Sequence, residues 1–267
     1  MKKKILIIGS TGYIGSKLKK ILSKKYKLIT PNKKKLDITN YSNLKKFVNN
    51  NIHYIINLSG QISNNSNLMK RVIINGNKNI IKLCCDKKIK IFFLSTSLIY
   101  GYSKKNKNEN SIKKPIDNYS KFKLIAEKEY FKSSTNFIIL RLCNIYNDKK
   151  NGIVKNLKSS VIKKKKLFIT NSMAFRNYIN VKDLVTIITK MLNTKLKYKV
   201  YNVGYENVKL IDLINKLEKK FKLQISYFDR KIKLDTIPSQ KISCSRVYNE
   251  INYRPKIKIK NYLIKNL

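Results

Sequence analysis

Two groups of residues in this sequence have the types and spacing for chemistry. The first is Tyr119-Ser-Lys-Phe-Lys123, a phenol and an ammonium four positions apart. On a helix, residues i and i+4 share a face about one turn apart. Lys123 would then hold its charge near the phenol, favour the phenolate and pull Tyr119 below its reference pKa of about 10. A tyrosine so tuned gives or takes a proton at neutral pH. Spacing alone says little here. Eight of the 17 tyrosines have Lys four residues on, namely Tyr13, Tyr41, Tyr100, Tyr119, Tyr146, Tyr178, Tyr205 and Tyr227. Location selects among them. Tyr119 opens a helical pattern just after a strand pattern, with Pro115 four residues ahead to set the entry; the other seven read as products of a Lys-rich composition.

The second group is Gly9, Gly12 and Gly15, which follow the short apolar run Ile5 to Ile8 and open a helical pattern at Ile14, Leu18, Ile21 and Leu22. The first glycine lets the chain turn sharply, the second lets backbone approach a pyrophosphate, and the third lets helix pack close on strand. Phosphates would sit on the N–H groups of the helix N-terminus. The spacing is Gly-x-x-Gly-x-x-Gly, not the simpler Gly-x-Gly-x-x-Gly, and a tight turn that binds nothing is the alternative reading. Position directly after an N-terminal strand favours a dinucleotide.

Positioning these groups requires strands and helices in alternation. Strand patterns cover residues 5–8, 26–30, 53–58, 89–94 and 137–142. Helical ones begin near Tyr41 and cover 68–85 and 119–131. The alternation predicts right-handed βαβ units and an α/β, Rossmann-type doubly wound parallel sheet. Its site lies beyond the carboxyl ends of the strands, where Gly60, Ser95 to Ser97 and Asn144 fall. Beyond Asn147 we expect a helix over 153–164, a strand over 167–170, a polar loop leading to Arg176, a helix over 181–192, a strand over 201–204 and a helix over 210–221. The predicted organisation is a dinucleotide-binding domain over 1–150, joined again by 177–204. A small C-terminal α+β substrate-binding region takes 151–176 and 205–267.

The second strand ends in Pro31-Asn32-Lys33-Lys34, with no carboxylate to grip a ribose 2′-hydroxyl. That favours NADP(H), with NAD(H) as the alternative. Asp37 could cap the helix beginning near Tyr41 or accept a hydrogen bond from the adenine amino group. His53 is the sole histidine, which excludes a histidine-based triad and any multi-histidine metal site; it reads as a strand-edge residue. No metal site is expected.

Sixty basic residues against 14 acidic ones give a formal net charge of +46. Such a charge ordinarily points to nucleic acid or an anionic membrane. Here Lys is spread over every segment beside abundant Asn and Ile, and runs such as Lys163 to Lys166 lack interleaved aromatics for stacking bases. Nucleic acid is therefore disfavoured. Cys84, Cys85, Cys143 and Cys244 show no C-x-x-C spacing and read as reduced core thiols of a cytoplasmic protein. No apolar run approaches membrane-spanning length.

Taken in order, Gly9-x-x-Gly12-x-x-Gly15, Asn57-Leu-Ser-Gly60, Ser95-Thr96-Ser97-Leu98-Ile99-Tyr100-Gly101, Tyr119-x-x-x-Lys123, Arg141-Leu-Cys-Asn144-Ile-Tyr146, Arg176-Asn-Tyr-Ile-Asn-Val-Lys-Asp183 and Tyr201-Asn-Val-Gly204 resemble the extended short-chain dehydrogenase/reductases. These form the NAD-dependent epimerase/dehydratase family of nucleotide-sugar enzymes. Leu36-Asp-Ile-Thr39 is similar to dTDP-4-dehydrorhamnose reductases in particular. The resemblance implies that the segment through Gly9, Thr11, Gly12, Tyr13, Ile14 and Gly15 meets the pyrophosphate. It implies that Asp37 and Ile38 meet the adenine and that Leu58, Ser59 and Gly60 line the cofactor. Thr96 would hydrogen-bond the substrate oxygen that is reduced or oxidised, Tyr119 would be the acid/base, and Lys123 would also hold the nicotinamide ribose. Ser97, Asn144 and Arg176 would join Thr96 on the nucleotide-sugar side. Arg176 has support from composition, since only six of the 60 basic residues are Arg and a planar fork suits a diphosphate. Its alternative is a pairing with Asp183. Dehydratases of the family carry acidic residues just after the catalytic Thr, where Ser97 and Leu98 stand here, so dehydration is disfavoured.

The expected activity is NADPH-dependent reduction of a 4-keto sugar nucleotide. A 4-epimerase using bound NAD is the alternative, and a catalytically idle or RNA-binding relative is a remote third. Family members are often homodimers through two long helices, here those over 68–85 and 119–131.

Overall fold

The computed structural model of the chain describes residues 2–60, 63, 65–147, 153–163, 166–169, 172–222, 225–227 and 239–266. By contact the chain divides into two units, one of 1–99, 115–141 and 188–201, the other of 100–114, 142–187 and 202–267. In chain order the elements begin β1 (Lys4–Ile8), α1 (Tyr13–Leu22), β2 (Lys27–Ile29), α2 (Tyr41–Lys45) and β3 (Tyr54–Asn57). The helix expected over 68–85 runs as α3 (Ser66–Lys70), a π-helical segment Arg71–Asn75 and α4 (Gly76–Cys84). Then come β4 (Lys90–Thr96), a 3-10 turn Ser97–Tyr100, β5 (Ser103–Lys107), α5 (Asn118–Phe131), β6 (Asn136–Leu142), β7 (Asn144–Tyr146) and α6 (Ile153–Lys163). The remainder is β8 (Leu167–Ile169), β9 (Phe175–Asn180), α7 (Val181–Met191), β10 (Val200–Val203), β11 (Glu206–Lys209), α8 (Leu210–Phe221), β12 (Ile225–Tyr227), β13 (Gln240–Ile242), α9 (Ser245–Ile251) and α10 (Ile259–Asn266).

In the first unit Ile5, Leu6 and Ile7 are wholly buried, as an unbroken apolar run requires. Full burial of each such side chain contributes about 1.5–3 kcal/mol over exposure, which places β1 inside the sheet and not at its edge. The sheet order is β10-β6-β4-β3-β1-β2. β1 pairs in parallel with both β2 and β3, and β3 in parallel with β4. The chain leaves β1 toward β2 on one side and returns to β3 on the other, so the strand order reverses at β1. This is the α/β, doubly wound Rossmann-type sheet, and ligand clefts open at such reversals, beyond the carboxyl ends of the strands. Helices α2, α4 and α5 supply Leu44, Ile80, Ile81, Ala126 and Tyr130 to the core on the sheet's face.

The second unit holds a three-stranded sheet in the order β11-β9-β7, with β9 antiparallel to β11 and parallel to β7. Arg176 therefore lies in a strand, just past the polar loop expected to lead to it. Its neighbours Asn177 and Tyr178 pair with Asn207 and Glu206, a long-range register that local composition does not carry. Around this sheet Tyr146, Leu157, Ile169, Tyr178, Leu213, Leu217, Ile259 and Leu263 form a separate core.

Candidate active site

The turn after β1 shows why its glycines are glycines. Gly9 has φ +80°, the left-handed region that side chains rarely adopt. A Cβ on Gly15 would lie 2.3 Å from the Gly9 carbonyl oxygen and 2.7 Å from Ser10 Cα, so α1 packs against the turn at a distance only glycine permits. Gly12 is the N-cap of α1 and offers no side chain to its first turn, which leaves that end to be satisfied otherwise. Tyr13 and Ile14 are the first residues of that helix.

A cavity of about 260 Å³ opens on this turn. Gly9, Thr11 and Gly12 line it, with Asn32 and Lys33 after β2, Asp37 and Ile38 farther on, and Leu58, Ser59 and Gly60 after β3. Thus most of the residues singled out for a dinucleotide are brought to one cleft, although Tyr13, Ile14 and Gly15 are not on its wall. Asp37 does not cap α2. Its carboxylate accepts from the Thr39 amide at 2.9 Å and the Thr39 hydroxyl at 2.8 Å, closing a local turn. Asn40 is the cap, accepting from Asn43 N at 2.9 Å. The end of β3 is fixed from beneath, where Asn57 Oδ1 accepts from the Ser59 amide and Asn57 Nδ2 donates to Asn77 Oδ1, both at 2.9 Å. Ser59 Oγ is buried and has no hydrogen-bond partner among the described residues. A buried hydroxyl left so costs free energy unless a ligand completes it.

Helix α5 begins where Asp117 accepts from the Ser120 amide at 2.7 Å, a strong N-cap. This capping sets the phase of the helix, which points Tyr119 and Lys123 along one face. Lys123 is 1% exposed. Its Nζ donates to the carbonyls of Leu94 at 2.6 Å and Ser59 at 3.0 Å, and sits 4.6 Å from the centre of the Phe93 ring. A Cβ built on Gly60 would lie 3.0 Å from this Nζ and 3.6 Å from the Tyr119 hydroxyl, so both polar tips meet at one glycine that also lines the cavity. Thr96 ends β4, two residues beyond the carbonyl that holds Lys123, and its Oγ1 accepts from Leu98 N at 3.2 Å. Ser97, next in line, is buried.

The electrostatics differ from the sequence expectation. Tyr119 is pushed up to about 12, first by burial and second by the Asp117 carboxylate. The Lys123 amine is itself lowered to about 7 by burial, with Glu127 pulling the other way. Helical spacing correctly makes Tyr119 and Lys123 neighbours. Desolvation is the largest cause of both shifts, and the ammonium is directed at carbonyl oxygens instead of the phenol.

The remaining expected residues lie in the second unit. Asn144 is exposed in β7 and donates from Nδ2 to the Asn177 carbonyl at 2.9 Å. The Arg176 guanidinium stands 5.9 Å from the centre of the Tyr102 ring and donates to the Phe175 carbonyl at 3.0 Å. Asp183 accepts instead from Tyr253 Oη at 2.7 Å and from the backbone of Lys256 and Ile257. Sequence reading missed Ser59 as an unsatisfied hydroxyl, and it missed a buried Glu127–Arg141 pair beside Ser95. The signal for the pair was present, since Glu127 stands one helical turn after Lys123 and Arg141 is one of six arginines. Among the described residues no group of His, Cys, Asp and Glu could hold a metal ion, and no helix is long and apolar enough to cross a membrane.

Comparison with known proteins bears on the whole chain. It is 25% identical over 209 residues to an ADP-L-glycero-D-manno-heptose-6-epimerase of Brachyspira hyodysenteriae, a match spanning 68% of this chain and 64% of that relative. In fold it is similar to the Bordetella bronchiseptica enzyme WbmG, solved with NAD, at a TM-score of 0.86 and 15% identity over 100% of this chain and 93% of that one. It is likewise similar to a Bacillus anthracis dTDP-4-dehydrorhamnose reductase solved with NADP, at a TM-score of 0.84 and 19% identity over 99% and 98% of the two chains. At such identities the structures speak for the fold alone. The match that decides membership is to the family model, which runs from residue 5 to residue 204, from the first strand of the sheet past the strand at its far edge. On that match the chain belongs to the NAD dependent epimerase/dehydratase family of enzymes.

Proposed function

We propose that this protein is an NADPH-dependent reductase of a keto nucleotide sugar, acting at carbon 4. The observation that carries the reading is the meeting of the Tyr119 hydroxyl and Lys123 Nζ at Gly60, on the wall of the cleft that the glycine turn opens. The cleft suits a dinucleotide on two grounds. The Ser59 hydroxyl is buried without a partner among the described residues, and α1 begins at a glycine with no side-chain cap. Gly9, Thr11, Gly12 and the first turn of α1 would hold the pyrophosphate; Asp37, Ile38, Leu58, Ser59 and Gly60 would flank the rest. Asn32 and Lys33 line the same cleft just after β2, where no carboxylate stands, which favours the 2′-phosphate of NADP(H) over NAD(H).

When bound, NADPH supplies hydride to the carbonyl carbon. Tyr119 gives its proton to the oxygen. A phenol held near 12 stays protonated throughout the neutral range, which fits a donor better than a base. Thr96 hydrogen-bonds the same oxygen, and Lys123, fixed by two carbonyls, orients what lies against Gly60. Asn144 and Arg176 are assigned to the sugar nucleotide. Ser97 and Leu98 leave no carboxylate after Thr96, which argues against dehydration.

A 4-epimerase with bound NAD is the second reading, favoured by a relative that is itself an epimerase and a structural neighbour solved with NAD. Incubation with keto nucleotide sugars separates the two. NADPH consumed in proportion to product supports the reductase; product formed with no net change in cofactor supports the epimerase. Tyr119→Phe is expected to lower kcat about 10²- to 10⁴-fold with intact cofactor binding. A fully active Tyr119→Phe enzyme would remove the mechanism.

A further inference from the structure

The mechanism above leaves a buried charged pair without a part. Glu127 and Arg141 are 1% and 2% exposed. Arg141 Nε lies 3.2 Å from each carboxylate oxygen and Nη2 lies 2.7 Å from Oε2, while Ser95 Oγ donates to Oε1 at 2.5 Å. Pairs this desolvated add little net stability, because stripping water from both ions offsets their attraction. Their placement needs a different explanation.

Glu127 stands one turn beyond Lys123 on α5. Consecutive residues of β4 grip the two, the Leu94 carbonyl taking Lys123 and the Ser95 hydroxyl taking Glu127. Thr96 comes next. Helix and strand are thus stitched at two adjacent points just before the proposed reacting groups. Among the described residues, the other groups facing Lys123 Nζ are the Tyr119 side chain, the Phe93 ring and the Ser59 carbonyl, none of them charged at neutral pH. Around the carboxylate are Ser95 and Arg141.

We propose that Glu127 is a positioning residue for Lys123, keeping the buried ammonium charged and in register with the end of β4, while Ser95 and Arg141 hold the carboxylate at its station. The proposal rests on the reading that Lys123 works at the cofactor. Burial lowers the Lys123 amine to about 7, and Glu127 is the charge that opposes this. Without the carboxylate, only the Leu94 and Ser59 carbonyls hold the charge against burial, and the ammonium is lost at lower pH.

The test is urea unfolding of the parent and Glu127→Gln proteins, each with and without Lys123→Met, from mild acid to about pH 10. A lysine that binds its proton more weakly when folded costs most stability below its folded pKa. Relative to the Met partner, stability therefore rises as pH climbs from about 7 toward 10.5. In the Glu127→Gln background the onset of this rise is expected about one pH unit lower. NADPH affinity should begin to fail about one unit earlier on the alkaline side, a readout that a merely structural role would not move. An unchanged onset overturns the proposal. If Glu127→Gln alone does not fold, with Arg141 buried and unpaired, Glu127→Gln/Arg141→Gln is read by the same criterion. Failure of the parent protein to bind NADPH at any pH would sink the cofactor reading, while the unfolding profiles still decide the role of Glu127.

Discussion

At Tyr119 the sequence points to a lysine one turn away and the structure to the loss of water. Burial wins, helped by Asp117, and the phenol rises to about 12. The sign matters for direction of reaction, since a raised pKa keeps the proton on and suits donation to a nascent alkoxide. Tyrosinate absorbance, taken as the difference between the parent and Tyr119→Phe proteins, should therefore appear near pH 12 in the ligand-free protein, later than the usual value of about 10. Ionisation below the usual value would restore the phenolate picture that spacing alone suggests. Lys123 shows the same physics with the opposite charge, since burial weakens its hold on a proton where it strengthens Tyr119's.

At the scale of elements, the strand-to-helix turn after β1 is the most tightly constrained feature. α1 meets the turn at Gly15 with no room for a methyl group, because the atoms it would strike are backbone and cannot step aside. Gly15→Ala is expected to cost about 1–3 kcal/mol by overpacking, measured by urea unfolding, and to weaken NADPH binding by moving the N-terminus of α1. Retention of both would mean that the turn is looser than its contacts imply. The end of β3 depends similarly on Asn57, Asn77 and Tyr130, a buried polar set in which Asn77 Nδ2 also donates to the Ile73 carbonyl inside the π-helical segment. That segment brings Val72 to the cleft wall.

For the molecule as a whole the net charge of +46 sets the electrostatics. So large an excess of one sign repels itself in the compact state. Added salt screens it, shortening the Debye length from about 30 Å at 0.01 M to about 10 Å at 0.1 M. The melting temperature should therefore rise as salt is added over that range, as differential scanning calorimetry would show. A flat or falling response would mean that the lysines are already neutralised. Salt-sensitive RNA binding at physiological ionic strength would point instead to the nucleic-acid reading that scattered lysines argue against.

What the sequence determined by itself was everything with a local cause. The buried strands of the parallel sheet are continuous apolar runs, the helix over 210–221 is amphipathic from end to end, and the i, i+4 spacing necessarily made Tyr119 and Lys123 neighbours. Short polar strands escaped it. β5, with the sequence Ser-Lys-Lys-Asn-Lys, has no apolar alternation and exists because it pairs with β13 far downstream, just as Arg176 is in a strand because β11 pairs beside it. Only the tertiary structure decided which residues gather on the cleft, that Arg141 folds back onto Glu127, and which way Tyr119 and Lys123 titrate. Those outcomes depend on how much water remains around each group, and solvent exclusion is a property of the packed chain that no neighbourhood in the sequence contains.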